Sequence, residues 1–114
     1  MRHRYLISFP SSAMRVSDAE LAAVSDASRA VVREAKVAGV WVFGGGLDAS
    51  VPPVRVAADG TVTPGTYPET QRIEGGYAIL ACASRDEAIQ WAAKFAAACR
   101  CEQELRVFFF DPES

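Results

Sequence analysis

Tyr5, Ile7 and Phe9 alternate with Arg4, Leu6 and Ser8, the period of a strand, and Pro10-Ser11-Ser12 closes the run. Leu21, Val24, Ser28, Val31, Ala35 and Ala38 then recur at alternating steps of three and four, which predicts a helix with one narrow buried face and with Arg29, Arg33, Glu34 and Lys36 largely off it. Ser17-Asp18-Ala19-Glu20 has the spacing of a capping box and sets the start of this helix, and Gly39 is a natural stop. Val40-Trp41-Val42-Phe43 is apolar on both faces and predicts a second strand, with a bend or bulge at Gly44-Gly45-Gly46. Val54-Arg55-Val56 and Thr61-Val62-Thr63 flank Asp59-Gly60, a hairpin signal. Tyr77 to Cys82 predicts a strand, and Ser84-Arg85-Asp86-Glu87 repeats the capping-box spacing before a second helix. Ala88, Trp91, Ala92, Phe95, Ala96 and Cys99 form the stripe of that helix, with Glu87, Gln90 and Lys94 facing away. Leu105 to Phe110 predicts a last strand, stopped by Asp111-Pro112.

The order strand, helix, strand, small hairpin, strand, helix, strand is the split βαβ arrangement of a ferredoxin-like α+β domain, and residues 1–114 make one such domain. Two helices cover one face of the sheet. Trp41, Phe43, Phe108 and Phe110 are the candidates for the other face, and an exposed apolar patch of that kind marks an association surface. The expectation is a homodimer, two copies meeting through the helix-free sheet face as a dimeric α+β barrel.

Composition narrows the function classes. A formal net charge of -2 over 114 residues supplies no bulk field for nucleic acid or an anionic membrane. No apolar run reaches the roughly 20 residues of a membrane span, and the N-terminus runs directly into a strand pattern instead of a signal peptide, so a cytoplasmic location is expected. Cys82, Cys99 and Cys101 read as structural thiols in a reducing compartment. Cys99-Arg100-Cys101 lacks zinc spacing and the single histidine, His3, lies at the other end of the chain as a surface residue, so neither a metal nor a cofactor is expected. The three glycines at 44–46 are followed by no Gly-Lys-Ser/Thr and open no helix, which removes the phosphate-cradle reading.

Candidate chemistry collects in the irregular run from Val62 to Tyr77. Glu69 suits a general base once burial raises its pKa, and Tyr67 suits a donor to a developing oxyanion. The simpler alternative, which is the stronger, pairs Glu69 with Arg55 or Arg106, packs the Tyr67 ring and lets Thr70 satisfy a loop amide. Arg55, Asp48, Thr70 and Arg106 are the candidates for holding a ligand; Asp48, after the glycines, reads better as a turn residue than as a second acid. Acid–base chemistry on a small hydroxylated aromatic or carbonyl compound competes with plain ligand binding, and with a regulatory role toward a protein partner.

Val62-Thr63-Pro64-Gly65-Thr66-Tyr67-Pro68-Glu69-Thr70 followed by Gly75-Gly76-Tyr77 resembles the signature of the YCII-related proteins of the DGPF-domain type, Val-Thr-Asp-Gly-Pro-Phe/Tyr-x-Glu-Thr-Lys-Glu and then Gly-Gly-Phe/Tyr. Gly45 to Asp48, Val54-Arg55, Glu87 to Ala92 and Cys99 to Arg106 extend the similarity over most of the chain. The resemblance implies a dimeric α+β barrel and a bacterial cytoplasmic protein, often encoded beside extracytoplasmic-function sigma factors. Most members have no established activity, and a few distant relatives are enzymes, among them a dehydrochlorinase acting on a chlorinated hydroxyquinol. Such a sigma factor is the implied protein partner. The chain departs from the signature at four places: its aspartate is Pro64 here, its proline Thr66, its lysine Gln71 and the following glutamate Arg72. Proline offers neither an ionisable group nor an amide donor, so Pro64 replaces nothing an aspartate does in acid–base work.

Overall fold

The computed structural model describes residues 2–114. It contains β1 (His3–Phe9), α1 (Asp18–Val37), β2 (Trp41–Gly46), β3 (Val54–Val56), β4 (Val62–Pro64), β5 (Gly76–Cys82), α2 (Arg85–Cys99) and β6 (Glu104–Val107), with single 3-10 turns at Ser11–Ala13 and Pro68–Thr70. The main sheet has the order β2-β5-β1-β6, its neighbours all antiparallel, while β3 and β4 form a separate two-stranded hairpin. This is the ferredoxin-like α+β arrangement, with the hairpin inserted between the two βαβ halves.

Both helices begin where polar side chains meet their free amides. The amide and hydroxyl of Ser17 donate to the Glu20 carboxylate, and the Ser84 hydroxyl accepts from the Glu87 amide at 3.1 Å. At the far end of α1, Gly39 takes φ +74°, which lets the Val40 amide reach back to the Ala35 carbonyl at 3.0 Å and that of Gly39 to Lys36 at 3.1 Å, a Schellman turn. Val40 and Ala35, the apolar pair of that turn, are both buried in the core. α2 ends less comfortably on Arg100, the one non-glycine residue with positive φ among those described.

Tyr5, Ile7, Ala78, Leu80 and Cys82 point from the two central strands into a core shared with Val31, Ala35, Ala88, Ala92 and Phe95 of the helices. Of the predicted α1 stripe, Val24, Val31 and Ala35 are buried, whereas Leu21 and Ala38 are exposed at the two ends where the helix overhangs the sheet. The glycines of β2 are paired within the strand, and the bulge expected at them falls instead between Trp41 and Phe43. Contrary to expectation, neither of those rings lies on the helix-free face: Trp41 packs against the core beside Phe95, and Phe43 stands on the same, helix-covered side, leaving Val42 for the other. β6 stops at Val107, earlier than the apolar run predicts; the Phe108 amide still donates to the Arg4 carbonyl, and Phe109 and Phe110 leave the sheet exposed. His3 lies inside β1, half-buried, with its ring edge-on to Phe110 at 6.2 Å.

The molecule is a slab with extents of 43 × 42 × 20 Å, and its radius of gyration of 15.7 Å exceeds the roughly 13 Å of a compact domain this size. The excess comes with a hairpin whose residues are all exposed. Its register, Val54↔Pro64, Arg55↔Thr63 and Val56↔Val62, places Val54, Val56, Val62 and Pro64 on one face and Arg55 with Thr63 on the other. Among the described residues no helix is long and apolar enough to cross a membrane.

Candidate functional site

The run from Val62 to Tyr77 is organised by backbone turns. Gly65, at φ +97°, donates its amide to the Pro53 carbonyl and so extends the hairpin by one bond. Pro68 starts the following 3-10 turn, in which the Tyr67 carbonyl accepts from the Thr70 amide at 3.1 Å and from its hydroxyl at 3.3 Å. Tyr67 and Thr70 are therefore brought together through backbone, while the Tyr67 ring stands out in solvent. Glu69 is exposed and makes no hydrogen bond or ion pair among the described residues. Arg55 lies on the polar face of the hairpin opposite Thr63, and Arg106 pairs with Glu104 at 3.5 Å on an exposed strand. Asp48 accepts from the amide and hydroxyl of Ser50 at 2.9 and 2.6 Å; these two bonds hold its carboxyl below the usual range, the behaviour of a turn-closing aspartate. Thus a single chain does not gather Glu69, Tyr67, Arg55 and Arg106 around one point.

The end of the same run behaves differently. Gly75, at φ +114°, passes so close to the end of β1 that a Cβ there would strike the Phe9 carbonyl and stand 2.8 Å from the Ser11 amide nitrogen. Its own carbonyl accepts from Leu47 at 2.9 Å, continuing the β2–β5 ladder past Gly46. Glu74 turns onto Ser11, taking both its amide and its hydroxyl. The Gly-Gly pair thus joins the ends of three strands.

Across the ladder Gly44, Gly45 and Gly46 face Ala78, Tyr77 and Gly76. With so few side chains on that end of the sheet, two rings lie over bare backbone: Trp41 covers Gly44, where a Cβ would be 2.5 Å from the indole, and Phe9 covers Gly76, where a Cβ would be 2.6 Å from the phenyl ring. α1 packs more extensively on α2 than on β2. Between α1 and this glycine-rich end of the sheet a cleft of about 680 Å³ remains. Ile7, Phe9, Met14, Val32, Trp41 and Phe95 give it an apolar lining, with Trp41 and Phe95 ring centroids 6.4 Å apart. Arg29 and Lys36 stand on its α1 rim, and Ser11, Ser28 and Gln103 supply neutral polar groups. Cys99 also touches the cleft; burial pushes its thiol up, so it is not a ready nucleophile. No group of three or more His, Cys, Asp or Glu suited to a metal occurs among the described residues.

None of the residues singled out for chemistry from the sequence lines this cleft; only Gly75 to Tyr77 of the singled-out loop reach it. Two glycine clusters in strand-like context, one at 44–46 and one at 75–76, were the available signal. Paired in one ladder, they strip a patch of sheet of side chains.

The family model described as "YCII-related domain" matches residues 1–107. No curated protein matches the chain.

Proposed function

The chain belongs to the YCII-related domain family, and from that premise we propose that it is a small-ligand-binding homodimer whose ligand sits in the cleft between α1 and the Gly44–Gly46/Gly75–Gly76 end of the sheet. The observation that carries this reading is the construction of the cleft: two runs of glycine leave space that neighbouring helices do not fill, and aromatic rings laid on the glycine backbone give it flat apolar walls. Binding is preferred to acid–base turnover because Glu69 and Tyr67 are exposed and neither makes a hydrogen bond or ion pair with another ionisable group among the described residues. Pairing of two copies is supported by the helix-free face, where no helix covers Leu6, Val42, Ile79 and Phe108 among the described residues, and by the hairpin face of Val54, Val56, Val62 and Pro64, whose described residues stay exposed.

The test uses Trp41 as reporter in a Trp91→Phe chain, titrated with a panel of small aromatic compounds. Binding should quench or shift Trp41 emission and should vanish in Val32→Trp, which fills the cleft from α1. A panel that leaves Trp41 unchanged, or binds Val32→Trp equally well, would sink the ligand reading. For the assembly, sedimentation should give twice the 12.3 kDa of the chain and fall to the single mass in Ile79→Glu; a wild-type monomer at micromolar concentration refutes the pairing.

A further inference from the structure

We propose that the cleft selects small aromatic carboxylates, seating the ring on Phe9, Trp41 and Phe95 and the carboxylate on Arg29 and Lys36. This rests on the cleft being a ligand site and assigns the chemistry of what enters it. Arg29 and Lys36 are the charged residues that line it, and both are basic. Seven residues apart on α1, they return to nearly the same helix face about 10 Å from one another along the axis, with Val32 between them.

Their positive charge is not committed elsewhere. Lys94, Arg100 and Arg106 are engaged by Glu34, Glu20 and Glu104, whereas Arg29 and Lys36 make no ion pair among the described residues, even though Asp26 lies one turn before Arg29. Glu74, next in the chain to the lining residue Gly75, is turned onto Ser11. Ser11, Ser28 and Gln103 have also spent donors internally: Ser11 on Glu74, Ser28 on the Ser25 carbonyl at 3.0 Å, and Gln103 on the Cys101 carbonyl at 3.2 Å. What the rim offers a ligand is therefore cationic N–H, and an acceptor-only anionic group answers it, with a guanidinium able to take a carboxylate through two bonds. A cationic ligand would meet two like charges. The aromatic half of the ligand is set by the walls, since flat rings stack on rings and pack against the Met14 thioether.

The experiment compares biphenyl-4-carboxylate with its neutral counterpart biphenyl-4-methanol on the full Trp91→Phe chain, read by Trp41 emission. The carboxylate should bind about tenfold or more tightly than the alcohol, as expected for charge-assisted bonds at a partly exposed rim. Arg29→Gln combined with Lys36→Gln should erase that tenfold difference; both residues are exposed, so the fold is not at stake. Raising salt from about 50 mM to about 500 mM should weaken the carboxylate alone. Equal binding of both compounds, abolished by Val32→Trp, overturns the carboxylate assignment and leaves the cleft standing. Binding of neither, or binding that survives both Val32→Trp and Gly46→Leu, overturns the cleft and the assignment together; Gly46 has room for a side chain, its Cβ meeting only the Gly75 carbonyl at 3.6 Å.

Discussion

Replacing Gly75 by alanine should destabilise the protein far more than replacing Gly60, although both glycines have positive φ. Gly60, at +89°, closes the hairpin turn with nothing within 4 Å of the place a methyl carbon would take, so Gly60→Ala carries only the backbone term of about 1–2 kcal/mol. Gly75→Ala carries the same term and also forces a methyl onto the Phe9 carbonyl, with the Pro10 carbonyl carbon only 3.0 Å away. Those neighbours are backbone and yield only if the end of β1 moves off β5. Such a shift removes the Phe9↔Gly76 rung and disturbs the 2.9 Å bond from Leu47 to Gly75, at about 1 kcal/mol each. The expected loss is about 3–4 kcal/mol, a large share of a typical 5–15 kcal/mol stability. Urea unfolding followed by tryptophan emission, at one fixed protein concentration, measures both variants against wild type. Losses that agree to within about 0.5 kcal/mol would refute the argument that the Gly-Gly pair is there for the close passage of backbones.

Three further outcomes are expected. Ser84→Ala should cost about 1 kcal/mol by removing the acceptor of the Glu87 amide, measured by the same urea midpoint. In a Glu20→Gln background, where the 2.5 Å ion pair to Arg100 is already gone, Arg100→Gly should stabilise by about 1 kcal/mol because the φ of 59° suits glycine; an unchanged or lowered Tm would contradict it. Glu20 titrates below its ordinary 4.5, chiefly through bonds from Ser17 and then through Arg100. A lowered folded value means its contribution is complete above 4.5 and is lost as pH falls through the folded value, so Glu20→Gln should lower the neutral plateau of the Tm–pH profile and flatten its acid limb; an acid limb as steep as that of wild type would contradict this.

Much of the architecture was legible because it depends on local signals. The alternation of Tyr5, Ile7 and Phe9, the serine–glutamate starts at 17–20 and 84–87, and the Gly39 stop each act within a turn or two of chain. The loop from Val62 to Tyr77 was legible as a motif but not as a site. Its polar members were weighed as chemistry, whereas in the fold Thr70 and the Tyr67 carbonyl shape a turn, Glu69 stands in solvent, and only Gly75 to Tyr77 of the run line the cleft. For Arg106 the sequence left Glu69 as a partner; the neighbour two residues back on the same strand took that place.

The sequence by itself determined which segments are strands and helices, their order, and hence the βαβ frame, since periodicity and capping depend on residues close in the chain; for the second face of the sheet it offered Trp41 and Phe43, which the fold turns toward the helices, as well as Phe108, which stays on the helix-free side. Only the tertiary structure decided that β2 pairs with β5 so as to set one glycine cluster against the other, and that α1 leans toward α2. A cleft is a property of what fails to meet: Arg29 and Lys36 on α1, Trp41 on β2 and Phe9 on β1 come from three separate elements, and no local pattern records the space left between them.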